Sequence, residues 1–225
     1  MLKKSLFTLL FLMGILMMTA MASPLVSRGG TTAGNSTVTV ETGHEVSVTW
    51  STRTGSIQSA LISSAQGNSS LDMAVTPPSW FILSESGDLI PLEYTWKGYR
   101  INGDQAILLH ELKVPDGPTM SVEEHPTSIV GIGDLLSLQR TFKVKASDPV
   151  STVLPRLIKR IRTGTNQGVT LLNHTNGQLQ PLGLNDNFIA DVVFVESGST
   201  VITTSFTGHW VDQPDRPVNT KETSS

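Results

Sequence analysis

The chain has 225 residues, a formal net charge of −3 and no cysteine. A mildly acidic chain lacks the surplus of Lys and Arg that phosphate neutralisation needs, so no nucleic-acid partner is expected. Zero cysteine removes disulfides, thiol nucleophiles, iron–sulfur clusters and Cys-type zinc sites together. Stability must therefore come from core burial or from strands donated by neighbours.

The N-terminus reads first. Lys3 and Lys4 form a positive start, residues 6–18 are almost unbroken apolar, and Ala20-Met21-Ala22 supplies small residues flanking a larger one. This is the three-part layout of a secretory signal peptide over residues 1–22, with the mature chain starting at Ser23. The competing reading is an N-terminal membrane anchor, since the apolar stretch approaches the length of a spanning helix. Residues 23–42 read as an N-terminal extension, residues 43–211 as the folded domain, and residues 212–225, rich in Pro, Ser and Thr, as a flexible tail.

Within the extension, residues 23–35 are polar and contain Gly29, Gly30 and Gly34, so they are not expected to hold structure alone. Val38 and Val40 then alternate with threonines. Beyond the turn-like Thr42-Gly43, Val46, Val48 and Trp50 alternate with polar residues, a period-two pattern of strand. The same pattern predicts strands over residues 71–75, 89–96, 106–112, 142–144, 169–172, 188–195 and 201–210. Asn102-Gly103 and Asn176-Gly177 are hairpin signals, because both residue types tolerate positive φ. Pro77-Pro78, Asp116-Gly117-Pro118 and Asp148-Pro149 are breaks. Helical spacing is scarce. Residues 133–139 could make a turn or two, and residues 153–162 place Leu154, Leu157, Ile158 and Ile161 at helical spacing, though Pro155 leaves a strand or loop equally open. Short strands with regular turn chemistry predict an all-β sandwich.

Candidate chemistry is sparse. His44, His110, His125, His174 and His209 show no ligand spacing, so structural or solvated histidines are expected and no metal. Glu123-Glu124-His125 looks reactive, but adjacent residues point to opposite sides of a strand. There is no Gly-x-Ser-x-Gly elbow, and Gly131-x-Gly133 lacks the residues of a phosphate loop. No catalytic residue and no cofactor are therefore assigned. Arg156, Lys159, Arg160 and Arg162 form the strongest charge feature. They read either as a solvated face with acidic partners or as a surface basic patch for acidic sugars or an anionic surface.

The segment Pro91-Leu92-Glu93-Tyr94-Thr95-Trp96-Lys97-Gly98 resembles the Pro-x-x-aliphatic-x-Trp-x-Gly strand of alpha-type, colonisation-factor-like chaperone–usher fimbrial subunits. Residues 36–50, with Thr37-Val38-Thr39-Val40, are similar to their N-terminal region, and residues 203–210 to their closing strand. The resemblance implies an immunoglobulin-like β-sandwich that is incomplete and completed by a donated strand. It implies a non-enzymatic subunit of a bacterial surface fimbrium, exported through the periplasm. Its partners would be other fimbrial subunits, a periplasmic chaperone and an outer-membrane usher, with a host glycan or surface receptor as a further partner. Val38 and Val40, two apart and so on one face, become the candidate donor strand. Two other readings compete. One is a periplasmic fimbrial chaperone, whose paired basic anchors are not found here. The other is a freestanding secreted carbohydrate-binding or hydrolytic domain, with Trp80, Trp96 or Trp210 stacking on sugars. For Trp96, in phase with Leu92 and Tyr94, a core position is expected instead.

Overall fold

The computed structural model describes residues 26–31, 35–64, 67–131, 134–147, 157–162, 169–175, 177–181, 189–194 and 199–210. Among these it is an all-β sandwich of sixteen strands without an α-helix. The strands are β1 (Val26–Thr31), β2 (Asn35–Gly43), β3 (Val46–Ser51), β4 (Ile57–Ser64), β5 (Gly67–Asp72), β6 (Trp80–Leu83), β7 (Leu89–Pro91) and β8 (Glu93–Asn102). They continue with β9 (Gln105–Lys113), β10 (Thr119–Val130), β11 (Leu135–Ala146), β12 (Leu157–Arg162), β13 (Val169–Thr175), β14 (Gly177–Pro181), β15 (Ile189–Phe194) and β16 (Ser199–Trp210).

These strands form three antiparallel sheets. The first is a meander in chain order, β1-β2-β3-β4-β5; the second runs β13-β16-β11-β10-β9-β8; the third runs β14-β15-β12-β6-β7. The meander follows from local sequence. Val46, Val48 and Trp50 are buried while Ser47, Thr49 and Ser51 are partly exposed, so a single face of β3 is apolar. The β2–β3 connection is the two-residue turn His44-Glu45, both with positive φ (48° and 58°), the twist that suits a tight hairpin.

The six-stranded sheet is the layer that organises the molecule, because one of its faces is covered by both other sheets. Along β10 the even residues from Met120 to Ser128 are all buried, and along β11 so are Leu136, Leu138, Arg140 and Phe142. At one end Ala106, Leu108, Leu136, Leu138 and Phe206 pack with Val38, Val40, Val46, Val48, Trp50, Ile57, Ala60 and Ile62 of the meander. At the other end Leu112, Met120, Val122, Phe142 and Ile202 pack with Trp80, Ile82, Leu157 and Ile161 of the third sheet. Fully burying each Val, Leu, Ile, Phe or Met among them is worth about 1.5–3 kcal/mol. The Oγ1 of Thr42 and the Oγ of Ser128, 2.6 Å apart, tie β2 to β10 at one margin of the first core. Pro126 is tolerated inside β10 because pairing with β9 has ended by Glu124, so its missing N–H falls beyond that ladder.

Several expectations change. Val38 and Val40 belong to the chain's own core, each 1 % exposed and opposite Trp50 and Val48 of β3. Within this single chain the candidate donor pair is therefore internal, and the two-residue turn ties β2 to β3. The extension is likewise part of the meander, since β1 pairs with β2 from Val26↔Val40 to Thr31↔Asn35. The stretch expected as one strand over residues 89–96 is two, β7 and β8, in different sheets. Gly177 opens β14, but β13 and β14 lie in different sheets, so Asn176-Gly177 does not close a hairpin. Residues 157–162 are strand rather than helix, because Leu157 pairs with Ile82 and Lys159 with Trp80. The tail from residue 212 lies outside the described residues.

Candidate functional site

Between the two cores runs a polar belt. His110 on β9, Glu124 on β10 and Arg140 on β11 occupy the inward phase of their strands, flanked by Leu108 and Leu138 on one side and Leu112, Val122 and Phe142 on the other. Glu124 is wholly buried. Its Oε1 accepts from Arg140 Nε at 2.7 Å and from Trp50 Nε1 at 3.0 Å, so the second and first sheets are joined here. His110 Nε2 lies 3.4 Å from Glu124 Oε2, and its Nδ1 is 2.8 Å from the Tyr94 hydroxyl. A neutral imidazole satisfies this arrangement when Tyr94 O–H donates to Nδ1 and Nε2–H faces the carboxylate. The third sheet contributes Lys159. Its Nζ donates to Gly55 O at 3.1 Å and Ser79 Oγ at 2.9 Å, and sits 4.6 Å from the Trp80 ring centre.

The Gly55 turn is built for this packing. Its φ is +64°, and a Cβ there would meet the Tyr94 ring at 2.3 Å. The conformation and the close approach both demand glycine.

The electrostatics follow from enclosure. Burial by itself would raise the Glu124 carboxyl, but the Arg140 guanidinium and the His110 contact outweigh it and hold the group well below the usual carboxylate range. Burial lowers His110, and this outweighs the opposing pull of Glu124, so the ring stays neutral. Burial also pushes Lys159 well below the ordinary lysine value, helped by Arg140 and opposed by Glu124. Tyr94 is raised, by burial first and by the Glu124 charge second. His110, Glu124 and Lys159 are all buried. The belt binds charges to one another, which fixes the register of three strands.

No family model matches the chain, and no curated protein matches it.

The expected surface basic patch is corrected at Lys159, which is 1 % exposed and points into the interior. Arg160 is half-buried over the Phe81 ring at 4.5 Å. Arg162, also half-buried, donates from Nε to Ala74 O at 3.0 Å and lies 3.5 Å from Asp72. Arg156 falls outside the described residues. These cations do not share an outward face because β12 is covered: Leu157, Ile158, Lys159 and Ile161 are all buried. Trp80 is corrected as a sugar platform too, since it is 1 % exposed against Phe142. Trp96 is half-buried over the His110 ring at 5.4 Å, and the side chain of Trp210 lies outside the described residues.

Glu123-Glu124-His125 divides as a strand requires. Glu123 faces outward to Arg100 at 3.0 Å and His125 lies 3.4 Å from Glu123, while Glu124 faces inward. Sequence reasoning stopped at that division and missed the belt. The signal was present: Met120 and Val122 set a phase that reaches Glu124 next. Among the described residues no three His, Asp or Glu side chains cluster to hold a metal ion.

Proposed function

We propose that the chain is a non-enzymatic structural subunit of an exported bacterial surface fibre, of the alpha-type chaperone–usher class whose strand motif it resembles at residues 91–98. Two features support a structural role. His110, Glu124 and Arg140 of the belt are all buried, and the Glu124 carboxylate is held by Arg140 and Trp50 within the fold.

The observation that carries the assembly reading is β1. It is the first described strand of the chain and an edge of the meander. Among its described side chains only Val26 packs on the core, and that only partly, while Ser27 and Arg28 are exposed. An edge strand held mainly by backbone hydrogen bonds is readily exchanged for the same strand of another copy. Residues 32–34 separate β1 from β2 in the sequence. In this reading β1, and not the Val38–Val40 pair, is the strand that passes between subunits, and the sandwich is of the immunoglobulin-like kind completed by it.

The test is to express the chain with a chaperone and usher of this class, with residues 26–31 deleted behind an intact leader. Surface polymer should disappear while periplasmic monomer persists. Normal polymer from the deleted chain would remove β1 as the exchanged strand. A wild-type chain that engages neither chaperone nor usher would remove the fimbrial reading altogether.

A further inference from the structure

β8 is a margin of the six-stranded sheet, paired with β9 on one side and with no described strand on the other. Glu93, Thr95 and Lys97 are exposed, and among the described residues no backbone bond beyond the β9 ladder engages residues 93–97. A Cβ placed on Gly98 would meet nothing within 4 Å, so the space beside this margin is open. An edge of this kind is a template for another strand.

Two devices keep such an edge from pairing at random, and β8 carries both. Lys97 puts a charge on it, and a bulge between Trp96 and Gly98 ends its regular course. What remains is the short stretch 93–97, and its charges suit one partner. Glu93 stands two residues before Thr95 and Lys97 two residues after it. An antiparallel pairing of this stretch with its own copy, centred on Thr95, places each Glu93 opposite the Lys97 of the other copy. Within the chain Lys113 lies opposite Glu93, and Glu111 holds Lys97 at 3.4 Å. Across the two copies the exposed row therefore alternates in sign: Lys113, Glu93, then Lys97 and Glu111 of the second copy. On the inward face Tyr94 meets Trp96 of the second copy, both half-buried, as a cross-strand aromatic pair. Centring the pairing on Glu93 or on Lys97 would instead oppose like charges, so charge selects the register.

We propose that β8 is a self-association edge, where two copies of the chain join their six-stranded sheets through residues 93–97 about a two-fold axis at Thr95. The proposal stands on β8 and depends neither on the fimbrial reading nor on β1.

The experiment uses the chain from Ser23 onward, which has no cysteine of its own, so a single introduced thiol reports alone. Thr95→Cys should form an intermolecular disulfide on mild oxidation, since directly opposite residues of an antiparallel pair lie about 4.5–5.5 Å apart, within disulfide range. Ile101→Cys, also exposed but beyond the bulge, should not. Sedimentation equilibrium gives a second readout. Lys97→Glu and Glu93→Lys should each weaken the dimer by about tenfold or more, because each sets like charges opposite one another twice. Mixing the two variants should restore association, as should combining both changes in one chain. Melting temperatures should stay near that of the unaltered chain, because the Lys97–Glu111 pair is exposed and contributes little. A chain that stays monomeric at every concentration would overturn the proposal. So would equal cross-linking of the Thr95→Cys and Ile101→Cys variants, single reversals that leave the dimer intact, or a mixture that stays monomeric.

Discussion

Replacing Glu124 by Gln tests the polar belt most directly. The amide is nearly isosteric, so neither core is disturbed, and its oxygen can still accept from Trp50 Nε1 and Arg140 Nε. What disappears is the negative charge on a wholly buried group that Arg140 approaches at 2.7 Å. Breaking a buried ion pair from one side costs about 3–5 kcal/mol, because the surviving charge is stranded. Retained hydrogen bonds place Glu124→Gln near the lower end, about 3 kcal/mol. For a chain of this size that lowers the melting temperature by about 6–12 °C, and moves a urea midpoint by roughly 1–3 M for slopes of about 1–3 kcal/mol per M. Adding Arg140→Met removes the stranded cation and should recover part of the loss. The double mutant should thus be more stable than the sum of the single effects by about 0.5–3 kcal/mol. Urea unfolding of the four proteins gives the cycle. A loss below about 1 kcal/mol for Glu124→Gln, or strict additivity with Arg140→Met, would refute the claim that this pair is enclosed and mutually dependent.

Val38→Asp with Val40→Asp should abolish the folded monomer, since each carboxylate would enter the first core. Thr39→Ala, on the outward phase where its Oγ1 meets that of Thr49 at 2.8 Å, should cost under about 1.5 kcal/mol by thermal melts. Gly55→Ala should destabilise by more than about 2 kcal/mol, combining a positive φ with collision against Tyr94, and should shift the Tyr94 ultraviolet absorption. His110 has a folded pKa below its unfolded value, so below pH 6.5 the unfolded chain takes up the proton first. Its contribution should be complete above pH 6.5 and fall as acid is added, and His110→Gln should flatten that part of a stability–pH curve. Lys159 is lowered in the same sense. Stability should rise with alkalinity towards pH 10.5, and Lys159→Met should remove that rise.

Strand identity was legible wherever alternation was clean. Val46 to Trp50 reads correctly because apolar and polar residues change places at every step, while Ala106 to Leu112 and Val201 to Phe206 read as strands through branched and aromatic residues bounded by turn signals. β10 was not legible, although it is one of the longest strands. Its buried phase passes from Met120 and Val122 to Glu124, Pro126 and Ser128, so the inward face changes from apolar to polar midway. β12 was read ambiguously for the opposite reason. Leu157, Ile158 and Ile161 fit a helix period, and only pairing with Phe81 and Ile82 of β6 and with Val193 of β15 makes it a strand. The candidate site was less legible than the fold. Lys159 looks like surface charge beside Arg160 and Arg162, and its partners Gly55 and Ser79 lie 104 and 80 residues away. No local pattern carries such a contact.

The order of strands within the sheets bears on how the chain reaches this structure. The meander pairs only consecutive strands, so each ladder closes a short loop and can form as soon as its own residues are available. The other two sheets cannot be finished that way. β6 waits for β12, and β16, the last described strand, lies between β11 and β13 rather than at a margin. A chain emerging N-terminus first therefore acquires its first sheet early, while the faces that will complete the first and second cores stay unfinished until Phe206 and Ile202, respectively, arrive. Truncation just before β16 should leave a long-lived, partly ordered species with an apolar surface open to capture, whereas the complete chain passes through that state only briefly.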